Sequence, residues 1–451
     1  MFALLLPLGA SATVELPLPE PTLGRTLSEM CGNEPMPILE APYAMRCALD
    51  FEGVAPNLPG DQGDAIRAAL ASLVSAEAGL FFPQGRYLVG GQLTLRTGNV
   101  LVGSRSGVTH FINPAQETSI ITQHLHHSAH KILVEGLVLD NIAVQFFHSG
   151  GRTGIGSVLR YTGIRGTTSP SAQIALLSGA NQVLGNVLWR EPGHPGIGIQ
   201  AREATGSRIT GNVLGAAELA SQDASADVDA TRVRRLTRVM STLVGRDGTV
   251  PNASEGKGHF SFALMATRTS SAAIDRNTVQ LTSAPLGATS AGRQAARLMN
   301  TTTLSMTGNR FVIAGEMPAR APTVTIGGAQ SLEFVGNRLE RVALHIVRGA
   351  PSLDWPYAPP PTKSATIRSN WFVQSVADIT QRVTGDGATD TTINDLSFID
   401  NHFDNRDLSA CMLSAPTPTA PGRTFLAVNN QMSSGTPAKL CNLRGPAAAQ
   451  P

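Results

Sequence analysis

Read only for apolar and polar positions, the chain repeats one short figure: an apolar run, a small or polar residue before an asparagine, and a second apolar run. "LSMTGNRFVIAG" at 304–315 shows it around Asn309, and it returns around Asn186, Asn212, Asn277, Asn337, Asn370, Asn401 and Asn430. Three residues before these asparagines stand Val183, Ile209, Ile274, Met306, Phe334, Ile367, Phe398 and Ala427. Two residues after them stand Leu188, Leu214, Val279, Phe311, Leu339, Phe372, Phe403 and Met432. Successive asparagines are 26, 65, 32, 28, 33, 31 and 29 residues apart, so the figure is an internal repeat in which 65 is two periods or one period with an insertion.

A tight bend between two short inward-facing runs fits two strands, not a helix. Asparagine tolerates the left-handed conformation that a one-residue bend demands, and its amide can bond to neighbouring backbone. The ladder asparagine is therefore expected at the left-handed position, with the amides stacked inward. Each repeat is then one coil of a solenoid whose parallel strands stack coil on coil. Asn-Gly hairpins of a β-sandwich are the alternative, but sandwich turns come about every 8–12 residues, roughly three times more often.

Other segments punctuate the repeat. Residues 13–60 are Pro- and Gly-rich and read as irregular. In "GDQGDAIRAAL" Asp64 is expected to N-cap a helix with Ile66, Leu70 and Leu73 on one face. "GLFFPQGRYLV" reads as strand, turn, strand, and "GQLTLRTGNVLVGS" adds two more short strands. Within 221–258, arginines 232, 234, 235 and 238 interleave with Val233, Leu236, Val239 and Leu243, the spacing of an amphipathic helix that Asp229 can cap. Residues 351–363 form a Pro-rich insertion carrying Trp355 and Tyr357. The organisation expected is an apolar start at 1–12, one solenoid domain over 61–435 with these two insertions, and a tail at 436–451.

Composition narrows the class. The 451 residues carry 35 basic and 33 acidic side chains, a balance that excludes a strongly basic nucleic-acid binder and a disordered acidic chain. Aromatic residues are 5%, with three tryptophans, which argues against extensive sugar stacking on aromatic platforms. "MFALLLPLGASA" ends in the small residues of an export cleavage site but lacks a basic n-region; export is the reading carried forward, to a secreted or periplasmic location. No later run approaches the 18 or so apolar residues that span a bilayer, so no membrane insertion is expected. Four cysteines allow three pairings; the local pairs Cys31–Cys47 and Cys411–Cys441 would clamp the two ends of the solenoid. The sequence assigns no oligomeric state.

The helix "DAIRAAL", the turn in "FFPQGRYLV", "LTLRTGNVLVGS", "ILVEGLVLDN" at 132–141 and the asparagine repeats together resemble the right-handed parallel β-helix proteins of the pectin lyase-like superfamily. The resemblance covers roughly residues 60–435. It implies an all-β, single-stranded right-handed parallel β-helix with an N-terminal capping helix and an inserted helical excursion. It also implies a substrate lying along the outside of one sheet. That sheet is expected in the short runs 10–14 residues before each asparagine: "AQIALL", "GIGIQA", "FSFALM", "ARLMN", "TVTIGG" and, after a longer gap, "LHIVRG".

Arginine and histidine outnumber carboxylates on or beside those strands. Arg190, Gln200, Arg202, Arg268, Arg297, His345 and Arg348 are the candidate substrate-binding residues, and a guanidinium holds a uronate carboxylate by two parallel hydrogen bonds. The partner expected is an acidic polysaccharide; ordinary surface polarity is the alternative for each residue taken singly. Lyase chemistry removes the proton beside a uronate carboxylate and needs a base and a cation at the enolate. His194, Lys257 and His259 are the candidate bases, because "WREPGHPG" and "EGKGHF" set them beside glycines just before candidate strands. Arg190-Glu191-Pro192 is similar to the Arg-x-Pro-x-x-Arg element of calcium-dependent pectate lyases, which brings in calcium as the cofactor the resemblance implies; Pro195 replaces the final arginine. "HLHHSAH" at 124–130 lacks a third ligand type at metal spacing, so no metal ligands are assigned. The Asn-Thr-Asp, Asp-Asp, Gly-His-Gly and Arg-Ile-Lys elements of polygalacturonases are absent. The function expected is a polysaccharide lyase cleaving by β-elimination, with a hydrolase or uronate epimerase of the same fold, or a non-catalytic binding or structural β-helix, as alternatives.

Overall fold

Eight buried asparagines set the frame of the molecule, whose computed structural model describes residues 30–37, 44–73, 78–96, 98–115, 117, 119–123, 132–147, 155–166, 172–177, 179–190, 196–216, 228–243, 259–282, 294–315, 321–347, 362–379, 393, 395–407, 411–414 and 424–441. Asn309 is representative. Its Nδ2 donates to the Ile274 carbonyl at 2.7 Å and to Asn337 Oδ1 at 2.9 Å, and its backbone N–H donates to the same Oδ1 at 2.9 Å. The same bonds run from Asn186 to Asn430, and the Thr162 N–H closes the N-terminal end by donating to Asn186 Oδ1 at 2.9 Å. Asn212 bonds directly to Asn277, so the 65-residue interval is one coil carrying an insertion.

The left-handed residue is not the ladder asparagine, as the sequence suggested, but the one before it. Gly185, Gly211, Arg276, Gly308, Gly336, Ser369, Asp400 and Asn429 have φ between 54° and 64°. The bend falls on the residue just outside the ladder, which leaves the asparagine with a negative φ and its amide turned inward between coils.

Each coil gives one strand to each of three parallel sheets. The first sheet has 13 strands, from Ala44–Cys47 to Thr424–Val428; the second has 12, from Gly85–Leu88 to Gln431–Met432; the third has 12, from Leu93–Leu95 to Leu440–Cys441. Inside run stacks such as Ile274, Met306, Phe334, Ile367 and Phe398, all fully buried. The result is the single-stranded right-handed parallel β-helix. Helix α1 (Gly63–Ser72) packs by the third sheet's first strand, burying Ile66, Ala69 and Leu70. Its N-cap is Gln62 rather than Asp64, which pairs with Arg67 at 2.6 Å; Asp61 Oδ1 instead takes the Gly63 N–H at 2.8 Å. Disulfides join Cys31 to Cys47 and Cys411 to Cys441, one near each end.

Helix α2 (Ala230–Thr242) is capped by Asp229, which accepts from the N–H groups of Thr231 and Arg232. It lies on the outer face of the second sheet, where Val233 and Met240 join Tyr161, Leu184, Val187, Trp189 and Val213 in an apolar cluster outside the coil. The described part of this insertion settles on the second sheet because that sheet offers the apolar outer face. Beneath the helix, buried Glu135 accepts from Arg160 Nε at 2.7 Å and Arg232 at 2.7 Å, with Arg105 at 3.4 Å. Close by, His110 lies 3.8 Å from Asp140, yet burial, then Arg165 and Arg86, push its pKa down to about 3, so its imidazole is neutral. Among the described residues no helix is long and apolar enough to cross a membrane. The apolar start, the histidines at 124–130 and the loop carrying Trp355 and Tyr357 lie outside the described residues.

Candidate functional site

The six runs expected to share a sheet do so, as consecutive strands of the third sheet: Ile174–Leu177, Gly196–Arg202, Phe260–Thr267, Gln294–Met299, Thr323–Gly327 and Ala343–Val347, with Ala377–Ile379 following. Strand alternation turns Ile199, Leu264, Leu298, Ile326, Ile346 and Ile379 inward, all essentially buried. The other parity faces out. Register then lines up one column across six coils: Gln200 beside Met265, Met265 beside Arg297, Arg297 beside Thr325, Thr325 beside His345, and His345 beside Asp378. Neighbours in it are about 4.8 Å apart at the backbone.

Two β-bulges, at Ser261 and at Ala295, interrupt the register near the start of these strands. Such bulges re-aim side chains. Here Phe262 is set on the outer face, where the Arg297 guanidinium lies 5.8 Å from its ring centroid. At the strands' other end, left-handed Glu203 and Arg268 turn the chain toward the first sheet. Arg268 pairs with Glu203 at 3.3 Å, and Arg202 approaches the same carboxylate at 3.8 Å.

Gln200, Arg202, Arg297 and His345 are thus brought onto one face, with Arg268 at its rim. Arg190 is not. It is 1% exposed, and its Nη2 donates to the Ile197 carbonyl at 3.2 Å beneath the strand entry. A side chain at Gly196 would come within 2.7–2.8 Å of that guanidinium, so glycine is needed there to let it pass. Burial lowers the Arg190 pKa to about 10. His259 is also buried, at the corner between the second and third sheets, with its ring 3.5 Å from the Thr282 hydroxyl. His194, Lys257 and Arg348 lie outside the described residues.

Sequence reasoning missed Asp378, although the repeat held the signal. Gln200, Met265, Arg297 and Thr325 each stand twelve residues before a ladder asparagine (212, 277, 309 and 337), whereas His345 and Asp378 each stand eight after one (337 and 370). Asp378 is the only carboxylate on the described strands of this sheet, and its Oδ1 is buried with no hydrogen-bond donor among the described residues. That set does not fit calcium, which takes six to eight oxygen ligands. Among the described residues no group of three His, Cys, Asp or Glu side chains converges to hold a metal.

Comparison with known proteins returns no matching family model and no matching curated sequence. Solved structures do match. The A-module of the Azotobacter vinelandii mannuronan C-5 epimerase AlgE6 is 14% identical, over 87% of this chain and 99% of that one, with a TM-score of 0.42. The surface adhesin PfbA of Streptococcus pneumoniae is 10% identical over 88% and 99%, with a TM-score of 0.42. A PL6 alginate lyase in complex with a trisaccharide is 12% identical over 88% and 86%, with a TM-score of 0.41. The three stacked parallel sheets make the protein a parallel β-helix, and these likenesses carry nothing about its chemistry.

Proposed function

We propose that the protein is a secreted or periplasmic polysaccharide lyase that binds an acidic, uronate-containing polysaccharide along the outer face of the third sheet and cleaves it by β-elimination. The observation that carries the reading is the register column that sets Arg297, His345 and Asp378 in one line. Arg297 holds the uronate carboxylate and stabilises the negative charge that develops on it. His345, two strand spacings away, takes the proton from the carbon beside that carboxylate. The C–H electron pair forms the new carbon–carbon double bond, and the glycosidic carbon–oxygen bond breaks, its oxygen leaving with a proton taken from water. Asp378, beside His345 in the register, is the carboxylate placed to take the second imidazole N–H and fix the ring, its Oδ1 having no other donor among the described residues. Gln200, Arg202 and Arg268 extend the binding strip. Two disulfides support an oxidising compartment. A hydrolase would want a second facing carboxylate, which the described strands do not supply.

The test is ultraviolet absorbance of the unsaturated product with a panel of uronate polymers, for the wild type and for His345→Ala and Arg297→Ala. Turnover should fall about 100-fold or more in His345→Ala with folding intact. Full activity in that variant removes His345 as the base. Hydrogen exchange from solvent into the polymer without cleavage would point to an epimerase, and binding without either reaction to a carbohydrate-binding β-helix.

A further inference from the structure

The outer face of the second sheet changes character beyond α2. Near the helix its register column reads Val138, Gly163, Val187, Val213; further along it reads Thr278, Arg310, Arg338, Trp371, His402, Gln431. Trp371 is 43% exposed, whereas Trp189 is buried. The Arg338 guanidinium lies 5.5 Å from the Trp371 ring centroid, and the His402 ring lies 4.7 Å from it on the next coil, tilted by 49°. Glu340 accepts from Nε of Arg310 at 2.9 Å and from Nε of Arg338 at 2.7 Å. Both guanidiniums are thereby held in place through Nε, and among the described residues no hydrogen bond engages their Nη groups. Beside them, Gly308 and Gly336 carry no side chain at the coil bends, and a notch of about 450 Å³ opens between Arg276, Arg310 and Arg338. Three arginines around the notch outnumber the carboxylates beside them, Glu340 at Arg310 and Arg338 and Asp275 near Arg276.

We propose that this strip is a second binding site, for an anionic oligosaccharide: carboxylates pair with the Nη groups of Arg310 and Arg338, and the apolar face of a sugar ring rests on Trp371. A pre-aligned guanidinium fork loses little freedom on pairing, and an aromatic ring beside a polar rim suits a ligand with one wet and one apolar face. The choice of a uronate chain rests on the reading above; the site does not depend on the third sheet being catalytic.

Iodide quenching of tryptophan fluorescence during titration with oligouronates tests it. The quenchable component contributed by Trp371, identified by its loss in Trp371→Phe, should become protected as ligand is added. Arg310→Ala/Arg338→Ala should weaken that protection at least tenfold, an uncharged oligosaccharide of equal length should give none, and Arg297→Ala on the third sheet should leave it unchanged. All three positions are at least partly exposed, and far-UV circular dichroism checks that the variants fold. Absence of protection by every acidic oligosaccharide, or equal protection in the double arginine variant, overturns the proposal. So does protection that appears without ligand and tracks dimer formation in ultracentrifugation, which would make this face an interface between copies. Loss of cleavage with protection retained sinks only the lyase reading.

Discussion

Replacing Asn309 by Leu keeps the branched heavy-atom shape of the side chain and removes all its polar atoms from the middle of the ladder. Four bonds disappear: Asn309 Nδ2 no longer donates to the Ile274 carbonyl or to Asn337 Oδ1, and Asn309 Oδ1 no longer accepts from the backbone N–H and Nδ2 of Asn277. Asn337 Oδ1 keeps the backbone donor of residue 309, and Asn277 Nδ2 keeps the Ile209 carbonyl. The Asn277 N–H and the Ile274 carbonyl lose their ladder partner in a site closed to water. At about 1–3 kcal/mol for each buried group left unmatched, the substitution costs roughly 2–6 kcal/mol. Asn430, at the last rung, still accepts from Asn401 but hands its own bond only to the Phe398 carbonyl, so its substitution should cost less. Because a solenoid can open coil by coil, the assay is hydrogen exchange of peptides spanning 274–279 and 306–311 rather than a single melting temperature. Exchange should accelerate there and not near Leu101. Wild-type protection of the Asn277 amide in Asn309→Leu would refute the reasoning.

Two further outcomes follow from features away from the candidate sites. Burial alone would raise the Glu135 pKa, but Arg232, Arg160 and Arg105 outweigh it and hold it below the ordinary carboxylate range. Its contribution is therefore complete above the unfolded value near 4.3 and is lost as pH falls through the lower folded value. Emission from Trp189, which shares the α2 cluster, should shift in that acid window, and Glu135→Gln should bring the shift to neutral pH; an unchanged profile would count against the cluster as the anchor of α2. Ser369 occupies a left-handed bend with φ 56°. Relief of about 1–2 kcal/mol of steric cost, less the backbone entropy of glycine, should make Ser369→Gly more stable by roughly 0.5–1 kcal/mol in denaturant titration, and a loss of stability would contradict it.

The ladder was legible because every coil needs the same amide at the same bend, so one residue type recurs whatever surrounds it. The third sheet was legible for the same reason: counting from each asparagine lands on outward positions such as Gln200 and Arg297. Four other points were not. Arg276 and Ser369 carry no compositional sign of a left-handed backbone, so the bend was assigned to its neighbour. Arg190 reads as surface charge until Gly196 is seen to let it pass inside. The docking face of α2 depends on which of three outward faces is apolar in space, and Val187 and Val213 look no different in sequence from core residues. A long insertion between Asp378 and Asn401 breaks the twelve-residue count, and its place shows only when the count runs forward, eight residues from Asn370 as His345 stands eight from Asn337.

The unbroken bond between Asn212 and Asn277 means that the rod tolerates foreign chain at its corners. An excursion long enough to include a whole helix leaves and returns with the second sheet's register unbroken from Val187 through Val213 to Thr278, and a one-residue bulge at Ser261 absorbs its re-entry into the third sheet. Lengthening such a loop costs only about 0.6 kcal/mol per doubling, while the strand stack that holds it is paid for locally by each coil and its neighbours. The corners between the second and third sheets are therefore natural grafting points. A peptide tag, a donor fluorophore or an entire small domain inserted there should ride on the rod, and the shape of its outer faces can diversify between lineages without any change to the stack inside.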